Sequence, residues 1–215
     1  MSDETPTNLI TSIRNSALSL GVFAVVTAAA ISLTYVAGHD AIAANKAAAK
    51  AKALEAVMSP DLYDQSLLSA PFTLHNAQAL NVPANTLAYT ALLQSRPMGM
   101  VLPVVAKDGY SGDISILVGL NQAGVIQGVR VIEHKETPGL GDKVEHRKSP
   151  WIDDFIGHSL SNTAPQAWAV KKDGGEFDGF TGATITPRAV VNAVHQSLLH
   201  HEQLKATFYP QDSEQ

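Results

Sequence analysis

The spacing of apolar and polar positions changes character along this chain and divides it into segments. No charged residue lies between Arg14 and Asp40. The apolar run Ala17-Leu18-Ser19-Leu20 through Leu33-Thr34-Tyr35-Val36-Ala37 is about 20 residues long, enough for a helix to cross roughly 30 Å of hydrocarbon. Its small residues suit packing in lipid, and Tyr35 sits near one end, where amphipathic rings favour the interface. A cleaved signal peptide, cut after Ala41-Ile42-Ala43, is the alternative. The run is longer than a usual signal core, and the leader carries acidic Asp3 and Glu4 with Arg14 as its one cation. The pattern therefore predicts an uncleaved anchor.

Residues 41–58 are rich in Ala, Lys, Leu and Glu and are followed by Pro60, which predicts a helix continuing out of the span as a stalk. Residues 61–85 show no sustained period and read as a short helix and an irregular connection. From Leu87 the pattern becomes that of strands, at Leu87–Leu93 and Val101–Val105, with Pro103 suggesting an edge or a bulge. Ile114–Val118 and Val125–Ile132, joined by a turn over Asn121–Gly124, read as a β-hairpin with Val129 and Val131 on one face and Arg130 on the other. A short helix is expected over Trp151–Ile156 and a further strand over Gln166–Val170. Thr186 followed by Pro187 reads as an N-cap and first position of a helix to Thr207, with Val190, Val191, Val194 and Leu198 as its buried stripe. Strands preceding one terminal helix, without strict alternation, predict an α+β domain.

Composition narrows the function. A net charge of -5 offers no general attraction for phosphate backbones, which argues against nucleic acid as a partner. With no cysteine, disulfides and cysteine-held iron–sulfur clusters are excluded, so any redox chemistry must come from a bound organic cofactor or another kind of metal site. The eight histidines include no pair spaced four apart on one helix face, so no metal site is expected.

Two segments remain that can carry chemistry. In Asp178-Gly179-Phe180-Thr181-Gly182-Ala183-Thr184-Ile185-Thr186-Pro187, three hydroxyl residues and two glycines stand just before a helix start. Small residues permit close backbone approach, and a helix N-terminus favours an anion. A plain capping loop has the same composition. In His134-Lys135-Glu136-Thr137-Pro138-Gly139-Leu140-Gly141 a rigid turn can present backbone groups to a planar ligand, with Leu140 over a ring face; a solvated surface turn is the alternative.

Taken in order, Gly109-Tyr110-x-Gly112, then Glu136-Thr137-Pro138-Gly139-Leu140-Gly141, then Asp178-Gly179-Phe180-Thr181-Gly182-Ala183-Thr184 resemble the FMN-binding domain shared by the G subunits of Rnf electron-transport complexes and the C subunits of sodium-translocating NADH:quinone reductases. The resemblance covers roughly 87–199, and the compact soluble part is more similar to the Rnf protein. It implies FMN linked by a phosphoester to Thr184, the threonine after Gly182-Ala183, by a flavin transferase that recognises the motif including Asp178 and Thr181. Many relatives carry serine where Thr181 stands. It further implies a cofactor environment built by Glu136, Thr137, Pro138, Gly139 and Leu140. The role implied is an electron-relay subunit of an ion-translocating oxidoreductase, with other subunits of that complex as partners and no independent substrate turnover; no catalytic residue is expected. The C subunit of a quinone reductase and a membrane-tethered flavin-binding sensory module are the alternatives.

The expected organisation is a cytoplasmic N-terminus over 1–15, a transmembrane helix over 16–38, a stalk and connection over 39–86, the FMN-binding domain over 87–207 and a tail over 208–215. Charge alone leaves orientation undecided, since Lys46, Lys50 and Lys52 follow the span and favour the cytoplasm for what comes after. The resemblance implies the opposite, a flavin domain on the periplasmic side of the bacterial cytoplasmic membrane.

Overall fold

The computed structural model describes residues 6–209, without side-chain detail for 6–10, 36–43 and 46. The residues expected to form the extreme N-terminus (1–5) and most of the tail (210–215) lie outside the described residues. The chain divides into two units, residues 1–49 and 50–215.

The first unit consists of most of helix α1, Pro6–Glu55. Within it Thr11–Tyr35 is long and apolar enough to cross a membrane, and none of it is buried in the protein. At 1.5 Å per residue its 25 residues reach roughly 37 Å. Two hydroxyls in this stretch are satisfied locally: Ser19 Oγ donates to the Asn15 carbonyl at 3.1 Å and Thr34 Oγ1 to that of Ala30 at 2.8 Å. That removes the cost of presenting a bare hydroxyl to hydrocarbon.

The second unit is an α+β domain around a five-stranded antiparallel meander in the order β1-β2-β3-β4-β5. The strands are β1 Pro71–Thr73, β2 Leu87–Leu93, β3 Arg96–Ala106, β4 Ile114–Asn121 and β5 Ile126–Glu133. Both faces are covered. Helix α2, Ile185–Phe208, lies on one side, burying Val190, Val191, Val194 and Leu198 as its spacing requires. They join Met100, Leu102, Ile116, Val118 and Val129 in the main core. On the other side Leu54, Val57, Met58 and Leu67 pack with Tyr89, Ala91 and Val101. The end of α1 therefore belongs to the domain, and Lys50 Nζ stands 5.0 Å from the Tyr89 ring centre.

That second layer needs a gap in the sheet. Gly119 and Gly128 are direct cross-strand partners in the β4–β5 hairpin. A Cβ at Gly119 would fall 1.8 Å from the Val57 carbonyl oxygen, and one at Gly128 would lie 2.8 Å from Val57 Cα. The paired glycines thus open a slot that admits the backbone at Ala56-Val57.

Several sequence expectations are corrected. Residues 61–85 contain strand β1 and three short 3-10 turns in place of a short helix. Pro103 sits within the central strand β3; it is paired to Leu117 of β4 but lies beyond the last β2–β3 pair, Tyr89 with Val101, so its missing N–H removes no bond to β2. Gln166–Val170 is a 3-10 turn, Pro165–Ala167, followed by a lone bridge from Val170 to Phe177. The expected helix at Trp151–Ile156 is a 3-10 helix, Pro150–Phe155, capped by Ser149. The N-cap of α2 is Thr184, two residues before the expected Thr186, and its side chain makes no cap bond. Thr186 is instead fully buried and bonded elsewhere.

Candidate functional site

Three loops converge at the N-terminus of α2. The first, between β3 and β4, carries Tyr110; the second follows β5 and spans Glu136–Gly141; the third leads from Asp178 into the helix. Their junction encloses an open cavity of about 270 Å³ lined by Tyr110, Glu136, Thr137, Leu140, Gly141, Gly182, Ala183, Thr184, Ile185 and Thr186.

Glu136 ties the three loops together. It is 4% exposed, and its two carboxylate oxygens are both occupied. Oε1 accepts from the Ser111 N–H at 2.8 Å, and Oε2 accepts from the Thr186 hydroxyl. A carboxylate is costly to bury unless it is bonded, so these donors are what let it sit there. Two glycines make the space. A Cβ on Gly109 would lie 3.1 Å from Glu136 Oε1, and one on Gly141 would lie 2.8 Å from both Glu136 Oε2 and Thr186 Oγ1. Gly141 is thus explained by the buried Glu136–Thr186 pair, whereas Gly109 is required first by the Gly112 carbonyl, 2.2 Å from where its Cβ would stand, and only secondarily by Glu136.

The 136–141 loop is rigid for local reasons. The Thr137 carbonyl accepts from the N–H groups of Leu140 and Gly141, each at 3.1 Å. Gly139 adopts φ +79°, a conformation that a β-branched residue would resist. Its N–H donates to Asp142 Oδ1 at 2.8 Å, while Asp142 Oδ2 meets Lys148 at 3.2 Å. Leu140 remains 42% exposed at the cavity, beside Gly182, whose own φ is +82°. Ile185 opposite is 46% exposed. Apolar side chains from two loops thus face the same opening.

In the third loop Thr184 is half-buried at the cavity, and its carbonyl accepts from Arg188 N–H at 3.4 Å as α2 begins. The helix positions after it, Ile185 and Thr186, carry N–H groups that α-helical geometry leaves without an intrahelical acceptor; Pro187 has none to lose. Asp178 does not line the cavity and pairs with Lys171 at 2.8 Å, both largely exposed.

Of the residues singled out in the sequence, the structure brings Glu136, Thr137, Leu140, Gly182, Ala183 and Thr184 together at the cavity. Pro138, Gly139, Asp178 and Thr181 do not line it. Asp142 and Trp151 hold the second and third loops through contacts the sequence did not reveal, because the partner of a buried Asp or Trp is recognisable only once the fold is known. Among the described residues no group of three or more His, Cys, Asp or Glu is placed to hold a metal ion.

Comparison with known proteins accords with this geometry. Residues 109–199 match the FMN-binding domain family, and residues 1–57 match the RnfG N-terminal region. The chain is 44% identical over 191 residues to the G subunit of the ion-translocating oxidoreductase complex of Pseudomonas aeruginosa, covering 89% of each chain. It is 39% identical over 201 residues to the protein of the same name from Aliivibrio fischeri, covering 92% of this chain and 96% of that one. The corresponding protein of Photorhabdus laumondii is 43% identical over 192 residues, 89% of this chain and 91% of its own. With both segments matched and nearly the whole length aligned, this chain belongs to the family of G subunits of ion-translocating oxidoreductase complexes.

Proposed function

We propose that this chain is a membrane-anchored electron-relay subunit of an Rnf-type ion-translocating oxidoreductase complex, carrying FMN covalently through a phosphoester to Thr184. The observation that carries the reading is the position of Thr184: an uncommitted hydroxyl residue at the cap of a 24-residue helix, on a cavity with apolar walls.

The residues fit that group. A phosphodiester on Thr184 would lie at the positive end of the α2 dipole, where the N–H groups of Ile185 and Thr186 could hold it. Leu140 and Ile185 offer apolar surface to a ring, and Tyr110 stands at the same cavity. Bound FMN supplies electron transfer in single steps. The protein's contribution is to keep the group from dissociating, to hold it against the Glu136–Gly141 loop and to limit water at one face. No general acid or base is required of the chain for such a relay. A flavin transferase installs the group, reading the loop from Asp178 to Thr184, and the remaining subunits of the complex supply and take the electrons.

The test is mass spectrometry of the protein from its native membrane. The tryptic peptide containing Thr184 carries the mass of FMN less one water; the unmodified peptide alone, or the label on Thr181 or Thr186, overturns the assignment.

The anchor Thr11–Tyr35 holds the domain to the cytoplasmic membrane, and the domain faces the periplasm. This follows the family against the local lysines, whose pull is weak on a long exported domain. Because the chain lacks cysteine, a single Lys172→Cys reports the side directly. A membrane-impermeant maleimide labels it in intact spheroplasts; labelling only after lysis puts the domain in the cytoplasm.

The Glu136–Gly141 loop shapes the flavin environment without forming the bond. In Leu140→Ala the ester to Thr184 stays intact while the flavin potential and absorption shift, since water gains access to the ring. Redox titration beside the parent protein checks it. An unchanged potential and spectrum in a folded, flavinylated variant places the loop's role elsewhere.

A further inference from the structure

The loop that bears Thr184 has little of its own to hold it still. Gly179 has no atom within 4 Å of where a Cβ would stand, and Gly182 occupies the left-handed region at φ +82°. Thr181 and Gly182 at the tip are exposed. The loop's entry is fixed by the backbone of its neighbours: Phe177 N–H donates to the Ala169 carbonyl at 3.2 Å, and its own carbonyl accepts from Lys171 N–H at 2.7 Å. Its exit is fixed by Ala183 N–H on the Phe180 carbonyl at 3.1 Å and by the start of α2. Between these two points, one side chain among the described residues hydrogen-bonds the backbone of 178–183. It is Trp151, whose indole N–H donates to the Asp178 carbonyl at 2.8 Å.

The indole is well placed to impose that geometry. Trp151 is 6% exposed and meets the Phe180 ring edge-on at 4.9 Å. It thereby holds the loop by a hydrogen bond on one side of Gly179 and by ring packing on the other. It is itself buttressed by Phe155, edge-on at 5.4 Å, which stacks on Phe177 at 4.5 Å. This chain of rings links the Thr184 loop to the main core. We propose that Trp151 is a positioning residue for covalent modification: its indole N–H, bonded to the Asp178 carbonyl, sets the loop in the shape in which the Thr184 hydroxyl is presented for flavin attachment. It does not line the cavity, and it acts through the loop. The inference rests on Thr184 being the attachment residue.

The attachment step itself balances with a flavin dinucleotide as donor. Its phosphoanhydride bond breaks, the FMN phosphoryl group bonds to Thr184 Oγ1, and the nucleoside monophosphate leaves with the negative charge while the hydroxyl proton passes to solvent. Free FMN would have to expel water, which is unfavourable in aqueous solution. Positioning matters for such a bimolecular step, because a misaligned hydroxyl loses rate even when the chain is folded.

The structure also provides a matched control. Trp168 is equally buried, at 4%, but its indole nitrogen has no hydrogen-bond partner. Replacing either tryptophan with phenylalanine trims a similar volume, and only one of the two changes removes a hydrogen bond. The experiment takes full-length protein in detergent, produced without the transferase, and follows in-gel flavin fluorescence on adding transferase, flavin adenine dinucleotide and magnesium. Trp151→Phe slows the initial rate about tenfold, the loss expected for one ordinary hydrogen bond from the reactive geometry. Trp168→Phe proceeds at the parent rate, and thermal melts show both variants folded. Equal rates for Trp151→Phe and the parent, or equal slowing in both variants, overturn the proposal.

A second measurement does not depend on flavin. In the parent protein the indole proton of Trp151 exchanges with solvent far more slowly than an exposed indole, and rapid exchange overturns the proposal even if Trp151→Phe fails to fold. A parent protein that takes no flavin, with its Trp151 indole protected, refutes the Thr184 assignment and leaves the loop clamp standing.

Discussion

Thr184→Ala abolishes covalent flavin, leaving no fluorescent band on a denaturing gel, while Thr181→Ala retains it. The three hydroxyl residues of the loop differ in what they are free to do. Thr186 is fully buried and its hydroxyl is committed to Glu136. Thr181 is exposed at the loop tip and does not line the cavity. Thr184 lies at the cavity, caps α2 through its backbone alone, and has no side-chain cap bond. Thr184→Ser keeps a hydroxyl at the same place and retains flavin at a comparable level. Thr186→Ala has a separate signature. It strands one oxygen of the buried Glu136 carboxylate, which costs about 1–3 kcal/mol, so it lowers the melting temperature whether or not flavin is attached. A Thr184→Ala protein that still fluoresces on the gel refutes the assignment.

The domain loses stability in mild acid, beginning well above the range in which carboxylates protonate. His201 is 1% exposed on α2, and burial pushes its pKa down to about 4. Smaller effects oppose one another: Glu202 and the Asn121 carbonyl raise it, and Lys205 lowers it. His200, 2% exposed and without a partner for either ring nitrogen, is shifted down as well, again by burial. In the unfolded chain both titrate near the ordinary histidine value of about 6.5. The folded-state values are depressed, so the unfolded state binds more protons between that value and the folded one. Stability is therefore full above pH ~6.5 and falls as the pH drops from there toward ~4. For His201 alone the loss between pH 7.5 and 5 is roughly 2 kcal/mol, at 1.36 kcal/mol per unit. Urea unfolding at those two pH values measures it. His201→Leu flattens the dependence; an equal slope in the variant removes His201 as the cause.

How far the sequence revealed the domain depended on how local each cause was. β2 and the β4–β5 hairpin were legible because alternation and turn residues act within a few positions. β1 was missed because three residues cannot display a period, and its partner β2 determines it. The cap of α2 was misplaced at Thr186 because Thr-Pro is a good local start signal. The hydroxyl that would have capped the helix went instead to Glu136, fifty residues earlier in the chain. The same bond explains why Glu136 was legible as a motif residue but not as a strut. Leu140 and Thr184 were found through a resemblance that matched their flanking glycines; Gly141 proves to be space beside Glu136, and Gly109 space for the Gly112 carbonyl. Asp142 and Trp151 act through contacts to the Gly139 N–H and the Asp178 carbonyl. A backbone group leaves no trace in the identity of the residue that carries it, so neither contact was visible beforehand.

The glycine slot in the β4–β5 hairpin changes where this domain can be cut. The expected boundary at residue 87 would leave Ala56-Val57 behind, opening the slot at Gly119 and Gly128 and baring Tyr89, Ala91 and Val101 to water. A fragment trimmed there loses one of its two hydrophobic layers and exposes an apolar sheet face prone to association. The piece that can leave the lipid intact starts at Lys50, where the second unit begins. The Ala56-Val57 turn that follows the long helix is thus a wedge seated in the sheet, and protease cleavage that releases a folded flavin domain falls on the N-terminal side of it.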